Sequence, residues 1–218
     1  MSSGEEIQRH LVVFDCNVYL DAARIIGEPF TWSDFDAAAA RLARIAIPHP
    51  EDGAQDSLRA LAACTSGRFA GDEALEVWTS SHIDIIVRGK ASQPVTPDPR
   101  TGYHGMGWSA EDAQKLVDEL IYGLVEKSGG GSAGDLFPDG NPPLDHEDGM
   151  VFGVCRQLAA EDPLARVYCV TRDRGFLEAY TSGGLSRHSY VLPPAKFIAL
   201  TRAARMRHSA SRMSRQRN

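Results

Sequence analysis

Two apolar runs of this chain lead into aspartate. His10–Phe14 (HLVVF) runs into Asp15, and Val167–Val170 (VYCV) continues through Thr171 and Arg172 to Asp173. A third acidic group, Asp145-His146-Glu147-Asp148, stands directly before a segment with Val151, Val154, Cys155 and Leu158 at helical spacing. Carboxylates gathered at one point repel one another unless a cation lies among them. All-oxygen donor sets of this kind suit Mg²⁺ or Mn²⁺. Two such ions about 3.5–4 Å apart can activate water and stabilise both oxygens of an in-line phosphoryl displacement. Taken singly, Asp15, Asp148 and Asp173 could each do no more than cap a helix. Their coincidence at the ends of elements is what points to chemistry. His146, inside the acidic group, and His82 are further candidate ligands, with surface or core roles as the plainer reading.

The elements decide whether these acids can meet. The runs at 10–14, 75–79, 167–170 and 189–192 read as strands, and helical patterns fall between them. Val18–Ile26, a stretch opened by Ser33 and Asp36 and running to about Ile47, and Gln55–Thr65 are expected helices. So are the segment SSHIDIIVRGK, a stretch opened by Ser109 and Asp112, Asp148–Ala160 and Ala195–Arg205. The stretch from Pro94 to Gly107, with its prolines and glycines, reads as a long loop, and the Gly/Pro-rich residues 128–143 as a flexible excursion within one domain. Strands alternating with helices imply a three-layer α/β/α fold around a parallel sheet. Ligands in such folds bind beyond the carboxyl ends of the strands. That rule brings Asp15 and Asp173 to one rim, with the start of the helix at Asp148 facing it.

Bulk properties narrow the class. The 218 residues, 43% of them hydrophobic, suffice for one sizeable core but would cramp two. One domain over residues 10–200 is expected, followed by a basic tail over 201–218 that ends the last helix and then frays. No apolar run approaches the roughly 20 residues of a membrane span. The N-terminus does not read as a signal peptide, so a cytoplasmic location and no membrane partner are expected. Cys16, Cys64, Cys155 and Cys169 form no zinc-type spacing and read as reduced core residues. The net charge of −6 conceals an asymmetry: from Thr201 onward there are six arginines and no acids. Such a tail could touch phosphates or simply be solvated.

At the level of motifs the chain resembles the PIN-domain family. VVFDCNVYLDAA is similar to the family's opening strand and turn, and LDHEDGMVFGVCRQL to its third motif. YCVTRDRGFL resembles its fourth motif, and VLPPAKFIAL its closing strand, proline and helix. SSHIDIIV and GWSAEDAQKLVDEL resemble the middle helices of a subgroup of bacterial toxin-like ribonucleases. The resemblance implies a Mg²⁺- or Mn²⁺-dependent endoribonuclease that hydrolyses phosphodiester bonds of single-stranded RNA, with DNA as the other candidate substrate. It makes Asp15, Asp148 and Asp173 the catalytic, metal-binding carboxylates, with Asn17 and Thr171 supporting them. Arg172, Arg174 and Lys196 become phosphate contacts. The family's further acid, usually a glutamate on a middle helix, has no glutamate to match it here. Asp84 is the nearest candidate and Glu76 a weaker one, while Asp145 and Glu147 could compensate. Many members are toxins of toxin–antitoxin pairs, so an antitoxin and a second copy of the chain are the implied partners. The chain is longer than the compact toxins, mainly through residues 28–72 and 90–109.

Two other readings stand beside this one. A haloacid-dehalogenase-type phosphatase also places an aspartate after a buried strand, but needs a second acid two residues on. Asn17 holds that position here and cannot shuttle a proton. A catalytically weak PIN-like scaffold that binds RNA or protein is the non-enzymatic alternative, kept open by the missing middle glutamate. Ser/His/Asp hydrolysis and dinucleotide or nucleoside-triphosphate binding are not expected.

Overall fold

Strand β1 (Arg9–Phe14) is buried from His10 to Phe14, on both faces of the sheet. A strand without a solvated face must be central and must lie between parallel neighbours covered by helices. The computed structural model, which describes residues 8–44, 53–96, 104–134 and 143–215, has that arrangement. β1 is followed by α1 (Cys16–Ile26), α2 (Trp32–Ala43), α3 (Gly53–Cys64), β2 (Ala74–Ser80) and α4 (Ser81–Ser92). Next come α5 (Ala110–Leu116), a π-helical segment (Val117–Tyr122), α6 (Gly123–Ser128) and β3 (Gly131–Ala133). The chain ends through α7 (His146–Glu161), β4 (Arg166–Val170), α8 (Arg174–Thr181), β5 (Tyr190–Leu192) and α9 (Pro194–Arg215).

The five strands form one parallel sheet in the order β3-β2-β1-β4-β5. With helices packed against it, this is the expected three-layer α/β/α fold. α3 packs on both α1 and α9, while α7 packs on β4 and β1. The strand order reverses between β1 and β4, because the chain leaves β1 toward β2 and leaves β4 toward β5. Connections on either side of such a reversal diverge and leave a crevice at the carboxyl ends of the two strands. Asp15 and Asp173 follow those two strands.

Several elements depart from the sequence reading. α2 starts two residues early, because the Oγ1 of Thr31, not Ser33, accepts the first-turn N–H, that of Asp34, at 3.1 Å. Its predicted end at Ile47 lies outside the described residues. α7 likewise starts before Asp148, at His146, because Asp145 is its cap and accepts the Asp148 N–H at 2.9 Å. Part of the expected flexible excursion is strand β3, and its residues 135–142 lie outside the described residues. β3 is too short to pair all of β2, and the Ser128 Oγ accepts the Val77 N–H in its place at 2.9 Å. α9 runs to Arg215 instead of ending at Arg205, since Ala, Arg and Met favour helix and no glycine or proline intervenes. Arg205 in that stretch holds the helix to the body, donating to the carbonyls of Phe69, Ala63 and Arg68 at 3.1, 2.9 and 2.7 Å. No helix among the described residues is long and apolar enough to cross a membrane.

Gly130 is the tightest point of this edge. A Cβ there would lie 1.8 Å from the Val77 carbonyl oxygen. Gly130→Ala is therefore expected to separate β3 from β2 and cost about 1–3 kcal/mol in urea denaturation; an unchanged midpoint would refute this account of the edge.

Candidate metal centre

The crevice gathers Asp15, Asp145, Glu147, Asp148 and Asp173, with Cys16, Asn17, Leu20, Arg24 and Lys90, around one cavity of about 240 Å³. Asp15 arrives at the end of β1, where its N–H donates to the Val170 carbonyl at 3.0 Å. It occupies the N-cap position of α1 but makes no side-chain cap. Instead its Oδ2 accepts from the Thr171 hydroxyl at 2.6 Å and from the Asn17 amide at 2.5 Å. The Asn17 Oδ1 in turn accepts the Arg172 N–H at 3.1 Å, and the Thr171 Oγ1 accepts the Asp173 N–H at 2.9 Å. The turn after β1 and the turn after β4 are thus tied into one network centred on the Asp15 carboxylate. Asn17 and Thr171 stand where the sequence reading put them, beside the first acid.

The other two principal acids have helix-terminal work as well. Asp173 caps α8, its Oδ1 accepting the Phe176 N–H at 2.8 Å. Asp148 lies in the first turn of α7, beneath the cap made by Asp145. Glu147 turns to Lys90, whose Nζ is 2.7 Å from its Oε2. No group of three Asp, Glu, His or Cys side chains among the described residues is arranged to hold a metal ion as it stands. The donor chemistry nevertheless suits Mg²⁺ or Mn²⁺, because the acids around the cavity offer carboxylate oxygens.

Electrostatics mark the cavity as short of positive charge. Burial, with repulsion from Asp173 adding to it, pushes the Asp15 carboxyl up to about 6, although the Thr171 hydrogen bond opposes the shift. Asp148 is pushed up to about 8, first by burial and then by repulsion from Asp15, Asp145, Asp173 and Glu147.

The remaining predicted residues lie elsewhere. Asp84 does not line this cavity. It is half-buried between the Thr79 hydroxyl, at 3.2 Å, and the Tyr122 hydroxyl, at a separate cleft with Ser81, Arg88 and Gln114. Tyr122 closes the π-helical segment, a local change of register that no side-chain periodicity announces. Glu76 pairs with Arg9 at 2.6 Å, before the carboxyl end of β2. Among the expected phosphate contacts, Arg172 is drawn to Asp21 at 2.6 Å and Arg174 to Glu178 at 2.7 Å, and Lys196 is exposed in the first turn of α9. None of the three lines the acidic cavity. His82 and His146 face each other edge to face, with ring centroids 5.9 Å apart.

The cations around the cavity are Arg24 and Lys90, which the sequence reading did not single out. Lys90 carried no local signal, as it reaches the acids from the last turn of α4. Asp21, 4% exposed and joined to Ser57 and Arg172, was missed for the same reason. The run Gly129–Gly134 has the spacings G-x-S-x-G and G-x-G-x-x-G, but it ends α6 and enters β3. A nucleophile elbow or a dinucleotide loop needs the opposite order, strand then helix.

Comparison of the chain with protein-family models, curated proteins and solved structures returned no match.

The raised carboxyl pKa values carry a stability consequence. Asp15 and Asp148 keep protons in the folded state that the unfolded chain has already released, so their contribution to stability falls as pH rises through about 6 and about 8. His10 acts in the opposite direction, since burial lowers its pKa to about 4, but this contribution is complete by about pH 6.5. In EDTA, thermal unfolding should therefore show stability declining between about pH 6.5 and 8. Asp148→Asn should flatten that decline and raise the midpoint at pH 8, by about 2–4 °C for each kcal/mol recovered. An equal slope in the variant would contradict the placement of Asp148 among the other acids.

Proposed function

We propose that this chain is a PIN-like, Mg²⁺- or Mn²⁺-dependent nuclease that hydrolyses phosphodiester bonds of single-stranded RNA. The observation that carries the reading is the joint placement of Asp15, Asp148 and Asp173 around one cavity at the β1/β4 crevice. Two of these acids are held with raised pKa values, a condition that a divalent cation would relieve. When bound there, the ion would supply Lewis acidity toward a phosphoryl oxygen and acidify its water.

The chain's own residues have distinct tasks in this reading. Asp15, Asp148 and Asp173 hold the ion, with Asp145 and Glu147 as the nearest further acids. Thr171 and Asn17 fix the Asp15 carboxylate through its Oδ2, so that it need not reorganise when ligand arrives. Arg24, 3.7 Å from Asp21, lines the same cavity and is therefore better placed to meet a substrate phosphate than Arg172 or Arg174, which do not line it. Pairing with an antitoxin and self-association belong to the same proposal and rest on the motif resemblance alone.

A second reading, an RNA- or protein-binding scaffold with little catalysis, is favoured by one observation. The middle-helix acid Asp84 stands apart from the cavity, bound to Thr79 and Tyr122.

Cleavage of a labelled single-stranded RNA separates the two. The nuclease reading expects cleavage with Mn²⁺, none with EDTA, and loss in both Asp15→Asn and Asp173→Asn. Thr171→Val should weaken Mn²⁺ binding about 10–100-fold, as the removal of a group orienting a ligand does. Cleavage that persists in Asp15→Asn would sink the site assignment, and RNA binding without cleavage would favour the scaffold.

A further inference from the structure

We propose that the Lys90 ammonium takes one of the cation positions of the acidic crevice, so that the site accepts a single divalent ion. The proposal rests on the metal-dependent reading above and adds the number of ions and the residue that sets it. Lys90 crosses from α4 to Glu147 on α7, with Nζ 2.7 Å from Oε2, and lines the same cavity as Asp15, Asp145, Asp148 and Asp173. The lysine side chain is 30% exposed, less than the usual solvated surface lysine.

The backbone beneath it is held in place. The residues after Lys90 are strapped by the segment around Gly105–Trp108: the Gly107 N–H donates to the Gln93 carbonyl at 2.9 Å and the Trp108 N–H to the Ala91 carbonyl at 3.1 Å. Gly105 is required for that approach, since a Cβ there would lie 1.9 Å from the Gln93 oxygen. A plainer role is open to a lysine in the last turn of a helix, where it complements the negative end of the helix dipole. That role needs no partner on another helix and no place in an acidic cavity, and Lys90 has both.

The chemistry follows from charge and coordination. Five carboxylates around one cavity leave room for more than one unit of positive charge. An ammonium delivers one such unit through three N–H donors and cannot be lost to a chelator. It can also neutralise charge building on a phosphoryl oxygen, but it cannot acidify a bound water as a divalent ion does. The result is a division of labour, with one exchangeable ion for water activation and one fixed cation for charge.

Calorimetric titration of Mn²⁺ into the full chain tests this without relying on activity. The wild type is expected to bind one Mn²⁺. Lys90→Met should bind a second, or bind the first about tenfold more tightly, and should unfold at a lower temperature in EDTA but recover with Mn²⁺. Lys90→Arg, which keeps the charge, should behave as the wild type. Two ions in the wild type, or the same number and affinity in Lys90→Met, would overturn the proposal. If the wild type binds no Mn²⁺ but Lys90→Met does, Lys90 holds the cation position and the nuclease reading fails. If neither binds, both fail.

Discussion

The structure is organised around a carboxylate, Asp15, buried to 5% exposure at the end of the central strand. A charge taken out of water costs several kcal/mol unless partners replace its hydration. Thr171 and Asn17 provide hydrogen bonds, but not enough to offset burial, and the Asp15 carboxyl stays well above the ordinary carboxylate range. Asp173 makes the position worse by repulsion, and Asp15 in turn repels Asp148. A stable fold has no use for this arrangement. Sites that spend stability in this way are typically the ones kept for a ligand.

Topology explains why the cost falls here. β1 lies between β2 and β4, and the chain departs from β1 and β4 in opposite directions along the sheet. The residues just past these strands therefore border a crevice with no connection laid across it. Asp15 directly follows β1 and Asp173 lies just past β4, and α7, packed on β4 and β1, brings Asp148 to them. The hydrogen bonds through Thr171 and Asn17 then lock the two turns together. Sheet and site are in this sense one construction, because the β1–β4 pairing also sets the distance between the acids.

The part legible in the sequence is the part encoded locally. An apolar run ending in Asp is visible in one dimension, so β1, β4 and their acids could be read directly, as could the α/β alternation. The cap at Ser109 stands where it was read, but at α2 capping was legible in kind and not in position, since T-x-x-D at Thr31 and S-x-x-D at Ser33 overlap and only packing chooses between them. β3 was hidden because glycine-rich residues carry no strand signal, and its partners, Trp78 to Ser80, are far away in sequence. Asp84 lies at a separate cleft with Tyr122, which reaches it from the π-helical segment, a contact no local sequence pattern announces. Arg172 looked free because its partner Asp21 is 151 residues away.

The acids of the middle helices also explain why charge is the scarce quantity at the crevice. Asp84 has the Thr79 and Tyr122 hydroxyls as partners, and the nearby Arg88 also favours its charged form. Asp148 has repulsion from four neighbouring acids, and no number of neutral donors removes that repulsion. Only positive charge does, and the chain supplies it from the same region of sequence, through Lys90 two turns beyond Asp84 on α4. The middle helix has therefore contributed a cation to the crevice where the motif resemblance leads one to expect an anion. Each lost carboxylate lowers the charge the site can attract, and each gained ammonium lowers the charge it needs. Both features favour fewer divalent ions, so Asp84 outside the cavity and Lys90 within it act in the same electrostatic direction.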